Sequence, residues 1–194
     1  MKKALKTMVV LALCAAMLLS AVACAASENS ANAKTGENAS VENAGNGKKV
    51  YFAGPMFNQS EKDYNLKVAT ILEEYGYEVF LPQRDGIEAA LLEGKTEQEM
   101  VEMIFALDEK NVKDADIIFM NLDGRVPDEG ACVELGIGYA CGKRCYGFKT
   151  DTRSVELGMT LNPMISGCMI RVFSDYNGDK MIEQIRAYLS ENEL

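Results

Sequence analysis

Five short apolar runs, separated by stretches with helical spacing, constrain the fold of this chain more than any other feature. "KKVYFAG" (48–54), "YEVFL" (77–81), "DIIFMNL" (116–122), "RCYGFK" (144–149) and "CMIRVF" (168–173) read as strands. Their cores lack the alternating polarity of a half-exposed sheet, so they predict strands buried on both faces. Between them the chain reads as helical. Asn58 or Ser60 can cap a helix that runs to Gly76, and "TEQEMVEMIFALDEKNVKDA" starts with a capping box of Thr96 and Glu99. A glycine-rich helix is expected from about Asp128 to Cys141 and an amphipathic one from about Asp179 to Leu189, whereas "GIEAALLEGK" is ambiguous and "LNPMISG" reads as a loop. Strand–helix alternation of this kind predicts an α/β fold: a doubly wound, flavodoxin-like, five-stranded parallel sheet flanked by helices. Ligands of such sheets sit beyond the carboxyl ends of the strands, which points to "AGPMF" and "DGRVPDEG" as pocket segments.

The pattern starts only near Lys48. Ahead of it, Lys2, Lys3 and Lys6 precede an uncharged apolar run, and "AVAC" leads to Cys24. Residues 1–23 therefore read as a secretory signal, too short for an ordinary membrane span. Its ending resembles a bacterial lipoprotein signal, in which Cys24 is lipidated and becomes the mature N-terminus; plain secretion is the alternative. Residues 24–47 are rich in Ala, Ser, Asn, Glu and Gly and read as a flexible tether, and residues 48–194 as one folded domain. The expected location is extracytoplasmic, on the bacterial cell surface, with the membrane reached through the N-terminal lipid.

Charge and cysteine content exclude several partners. The formal net charge of −9 becomes −12 without the three signal lysines. Such a surface repels nucleic acid polymers and anionic headgroups. With no His and no CxxC pair, neither a metal nor a His-dependent nucleophile is expected, and no cofactor motif of the GxGxxG or GxxxxGK[ST] kind is present. Cys132, Cys141, Cys145 and Cys168 allow three pairings, but three of them sit in small or apolar settings that suit free buried thiols. Cys132 also stands on a carboxylate-rich turn that raises its thiol pKa.

What remains is carboxylate chemistry. In "DGRVPDEGACVELGIGYACGK" (123–143), Glu134 lies between Val133 and Leu135 with glycines to either side, a setting for a carboxylate in a cavity. Asp128 stands at the helix cap, where backbone N–H groups favour an anion. Glu134 lies more than a turn further in, on a different azimuth, so the two would bracket a ligand. Paired carboxylates of this kind serve glycosyl transfer. The residues alone also permit a plain cap and a paired core acid.

"VYFAGPMF", "ALDEKNVKDADIIFMNLDGRVPDEGACVELGIGYACGK" and "TLNPMI" resemble, in order and spacing, the nucleoside 2-deoxyribosyltransferase family from about Lys49 to the C-terminus. The resemblance implies that Glu134 is the nucleophile, forming a deoxyribosyl ester at C1′. It implies that Asp128 and Asp108 contact substrate and handle the proton on the leaving base, with Asp108 at the end of the preceding helix. Tyr51 would lie near the nucleophile and the sugar 2′ position, with Gly54 in the same substrate-binding stretch. Phe57 would pack on the nucleobase. Asn162, with Met164 beside it, would reach the sugar 5′-hydroxyl of a neighbouring subunit, so a homodimer or larger homo-oligomer with a shared site is expected. "GPM" departs from the family pattern and leaves the base preference open, and Asp128 with Glu129 stands where related N-glycosidases of nucleotides carry a phosphate-binding Ser.

These features imply transfer of 2-deoxyribose between nucleobases, with extracytoplasmic nucleosides and free bases as the small-molecule partners. Hydrolysis by the same Glu134 is the nearest alternative, and a non-catalytic nucleoside-binding lipoprotein is the third.

Overall fold

The five apolar runs pair as one all-parallel sheet in the order β2-β1-β3-β4-β5. The computed structural model describes residues 47–155 and 157–194. Along the chain come β1 (Lys49–Ala53), α1 (Gln59–Glu74), β2 (Glu78–Phe80), α2 (Pro82–Asp85), α3 (Ala89–Leu92) and α4 (Glu97–Asp114). They are followed by β3 (Ile117–Asn121), α5 (Glu129–Ala140), β4 (Arg144–Lys149), α6 (Pro163–Cys168), β5 (Arg171–Ser174) and α7 (Gly178–Leu189). The expected signal, Cys24 and all of the tether but Gly47 lie outside the described residues. No helix among the described residues is long and apolar enough to cross a membrane.

Alternation along each strand sends side chains to two cores. Phe52, Phe119, Phe148 and Phe173 form one with Val68 and Leu72 of α1 and Met181 and Ile185 of α7. Tyr51, Ile118, Met120, Leu122 and Cys145 form the other with Val112 of α4 and Ala131 and Leu135 of α5. Burying each aromatic ring contributes on the order of 2–3 kcal/mol. Lys149 is the exception to this apolar pattern, being 2% exposed with no hydrogen-bond partner for Nζ among the described residues.

Local signals set the helix ends. Asn58 and Thr96 each close a capping box, with Glu61 and Glu99 as the reciprocal partners. Three boundaries differ from the sequence expectation. "LNPMISG" is not a plain loop: Asn162 at the cap and Pro163 in the first turn start α6, which ends at Cys168. The last strand consequently begins at Arg171 rather than Cys168. Asp108 sits inside α4 rather than at its end, because Lys110–Asp114 and Lys113–Glu109 ion pairs, at 2.6 and 2.7 Å, accompany a helix that continues to Asp114. The ambiguous "GIEAALLEGK" contributes the single turn α3.

The strand order reverses between β1 and β3. Doubly wound sheets bind ligands at the carboxyl ends of the strands beside such a reversal, and here the loops leaving those two strands carry Phe57 and Asp128.

Candidate active site

Glu134 is aimed by the way α5 rides on the sheet. Ala131, Leu135 and Gly138 are the buried residues of this helix. A Cβ on Gly138 would stand 2.4 Å from Ile118 Cγ1, so only glycine lets the helix settle this close to β3. Glu134 is one turn before Gly138 and shares its face. Its carboxylate reaches β1, where the Tyr51 hydroxyl donates to Oε1 at 2.8 Å. Tyr51 is held in turn by burial and by stacking on Phe80, with ring centroids 5.6 Å apart.

Burial dominates the electrostatics of this group. It raises the Glu134 carboxyl to about 7; the Tyr51 hydrogen bond opposes that rise, and the neighbouring Asp108 and Asp128 carboxylates add to it. Asp108 is also raised by burial, against a counteracting interaction with the same Tyr51 hydroxyl. The Tyr51 hydroxyl is itself pushed far up, first by burial and then by the charges of Glu134 and Asp108. It therefore remains a proton-bearing donor between two carboxylates, and one proton serves one of them at a time.

Glu134 and Asp108 face a cleft of about 460 Å³ between α4 and α5, whose walls are mostly apolar: Ile104, Phe105, Val133 and Ile137 contribute to them. A further cleft of about 320 Å³, beside β1, β2 and the end of α4, contains none of the sequence-predicted site residues. Asp128 caps α5, its Oδ2 accepting from the Ala131 N–H at 2.8 Å. The Cys132 thiol is raised by burial first and by Asp128 and Glu129 second, which leaves it a poor nucleophile.

The structure thus brings Tyr51, Asp108 and Glu134 together, with Asp128 close enough to act on Glu134. Phe57, Asn162 and Met164 are not among the residues that line the cleft. Phe57 is 78% and Met164 79% exposed. Asn162 spends its Oδ1 on the Met164 N–H at 2.9 Å. Gly54 has a packing reason: a Cβ there would lie 2.7 Å from Asn121 Cβ.

Sequence reasoning gave no role to Asn65, Asn121 or Asp123. Asn65 and Asn121 are both buried at 2% exposure and bonded to each other at 2.8 Å. Asp123 accepts from the Thr150 N–H, from Thr150 Oγ1 at 2.7 Å and from the Asp151 N–H at 2.8 Å. The one available signal was an Asn ending the apolar run "IIFMN".

Fold and site together define an α/β protein with a carboxylate centre beside the switch point of a doubly wound sheet. The chain belongs to the nucleoside 2-deoxyribosyltransferase family, whose model matches residues 50–179. A 2-deoxyribosyltransferase from the psychrotolerant bacterium Bacillus psychrosaccharolyticus is 26% identical, with a TM-score of 0.58 over 72% of this chain and 91% of that one. A 2-desoxiribosyltransferase from Leishmania mexicana is 19% identical, with a TM-score of 0.52 over 73% and 98%. A CMP N-glycosidase from Clostridium botulinum is 18% identical, with a TM-score of 0.50 over 73% and 99%. At those last two identities the likeness shows the fold alone. No curated relative matches the chain. The family supports an activity of the deoxyribosyl-transfer kind.

Proposed function

We propose that this protein transfers 2-deoxyribose between nucleobases in two displacements, with retention at C1′. The observation that carries the reading is the half-buried Tyr51–Glu134 hydrogen bond at the edge of a cleft that also holds Asp108. In the first displacement, ionised Glu134 attacks C1′ and the C1′–N bond breaks as the ester forms. The departing base takes a proton. Asp108, whose carboxyl is shifted upward by burial, is suited to supply it, with Asp128 at the helix cap orienting the base. In the second, a nitrogen of the incoming base attacks C1′, its proton returns to the acid, and Glu134 is released. Tyr51 keeps the nucleophile oriented and, lying along the sugar, favours a substrate without a 2′-hydroxyl.

Phe57 is proposed to cover the base, and Gly54 to shape the loop that carries it. Asn162 and Met164 are proposed to complete the pocket of a neighbouring subunit, consistent with the outward exposure of both. The proposed setting is extracytoplasmic, through lipidated Cys24 after removal of residues 1–23, with 24–47 as tether. Labelling with a palmitate analogue, lost in Cys24→Ser, tests the anchor.

The activity is tested by incubating the protein with a deoxynucleoside and a second free base. The expected product is the exchanged nucleoside. Free deoxyribose with no exchange, with or without acceptor, would assign hydrolysis instead; saturable binding without turnover would assign a nucleoside-binding protein.

A further inference from the structure

A chain of hydrogen bonds crosses the carboxyl rim of the sheet and ties together the loops on which the proposed substrate contacts stand. It begins after β2, where Gln83 Nε2 donates to the Lys62 carbonyl at 2.8 Å and Gln83 Oε1 accepts from Asn65 Nδ2 at 3.3 Å. Asn65 Nδ2 also donates to the Pro55 carbonyl at 2.8 Å, in the loop that leads from β1 to Phe57. Asn65 Oδ1 accepts from Asn121 Nδ2 at 2.8 Å. Asn121 Oδ1 then accepts from the Asp123 N–H at 2.9 Å, in the loop that leads from β3 to Asp128. The Asp123 carboxylate continues the chain to Thr150 and Asp151 beyond β4.

We propose that Asn65 and Asn121 are positioning residues that hold the Phe57 loop and the Asp128 loop in register across the switch point. Three features favour a positioning role over general support. Both amides are buried at 2% exposure, away from competing water. Each reads the backbone of one site-bearing loop: Asn65 a carbonyl before Phe57, and Asn121 an N–H before Asp128. The strand ends meet so tightly that Gly54 has no room for a Cβ against Asn121, which leaves little slack between the two loops. Neither residue touches the cleft, so both act through others.

The inference rests on the reading that Phe57 covers the base and Asp128 serves the leaving group. It then predicts opposite kinetic signatures for the two halves of one hydrogen-bonded pair. Asn65→Leu frees the Pro55 carbonyl and should raise KM for the deoxynucleoside about tenfold with kcat within threefold of wild type. Asn121→Leu frees the Asp123 N–H and should lower kcat about tenfold with KM within threefold. If a leucine variant fails to fold, Asn65→Ser and Asn121→Ser are read the same way. Ile185→Ala, in α7 and outside the hydrogen-bond chain, supplies a comparison of matched loss in Tm and should leave both constants unchanged below its Tm.

Hydrogen–deuterium exchange gives a readout that needs no turnover. Either Asn variant should speed exchange in both the 54–58 and the 122–128 peptides, although each substitution touches one loop directly. Exchange confined to one loop, kcat and KM moving together, or neither moving, as expected of Ile185→Ala, would overturn the inference. A wild type with neither transfer nor hydrolysis would defeat the proposed function instead; calorimetric nucleoside affinity would then replace KM, and coupled exchange would still decide the link between the loops.

Discussion

At the residue scale, Glu134 sets function against stability. Burial raises its carboxyl to about 7 from an ordinary 4.5, so the folded state holds the proton more firmly than the unfolded chain. The stability contributed by protonated Glu134 is fully present below pH 4.5 and is lost as pH rises through 7. Glu134→Gln keeps a hydrogen-bond partner for Tyr51 and removes the buried charge. It should therefore be more stable than wild type above pH 8, by about 3 kcal/mol at about 1.36 kcal/mol per pKa unit, in denaturant titrations, with the gain vanishing near pH 4. The same variant should lose nearly all exchange activity. Under the proposed mechanism, in which the anion attacks, wild-type kcat/KM should climb as pH passes upward through about 7; a flat profile across pH 5–8 would remove Glu134 as the titrating nucleophile.

Two other residues carry tests of their own. A phosphate a few ångströms from Asp128 and Glu129 would be repelled by several kcal/mol in a partly dry pocket, and Arg125 is the only cation in "DGRVPDEG". Deoxynucleoside 5′-monophosphates should turn over much more slowly than nucleosides in parallel assays; faster turnover would place a phosphate site beside the cleft. Lys149 buries its Nζ with no hydrogen-bond partner among the described residues, and burying such a group without a hydrogen bond is unfavourable. Lys149→Met should raise stability by roughly 1–3 kcal/mol, read from the denaturation midpoint.

At the scale of the element, the glycines of α5 are not equivalent. Gly138 has Ile118 against it, whereas a Cβ on Gly136 would meet nothing within 4 Å. Gly138→Ala must lift the helix or displace Ile118, costing about 1–3 kcal/mol. It should also loosen the Tyr51–Glu134 bond, lowering kcat. Gly136→Ala should be neutral or stabilising by up to about 1 kcal/mol. Thermal unfolding and steady-state kinetics on the pair separate these effects, and equal outcomes would mean that close packing on β3 does not aim Glu134.

At the scale of the whole molecule, one subunit leaves the proposed substrate contacts apart. Phe57 and Met164 project into solvent, while Val101, Ile104, Phe105 and Val133 expose apolar surface around the cleft that holds Glu134. The proposed assembly would cover that surface and bring the α6 start of one subunit to the cleft of another. Mixing Glu134→Ala with Asn162→Ala protein under conditions of subunit exchange should then restore part of the activity, since some hybrid sites contain both intact residues. Restoration absent despite demonstrated exchange, or a fully active monomer, would return Asn162 to its own subunit.

Much of this is legible in the sequence alone. Apolar runs such as "DIIFMNL" announced buried parallel strands because residues covered on both faces leave no polar alternation, and Thr96 with Glu99 marked a helix start because that chemistry is local. Glu134, set among small and apolar neighbours, already implied a carboxylate in a cavity. Other features are made by residues far apart in the chain. The partnership of Tyr51 with Glu134 spans 83 positions, and that of Asn65 with Asn121 spans 56. No periodicity or cap encodes such pairs; they arise when strands and helices pack. The upward shift of Glu134 belongs to the same level. A carboxylate written in sequence has its ordinary affinity for a proton, and only the desolvating walls of β1, α4 and α5, with two further carboxylates folded nearby, hold it near neutrality.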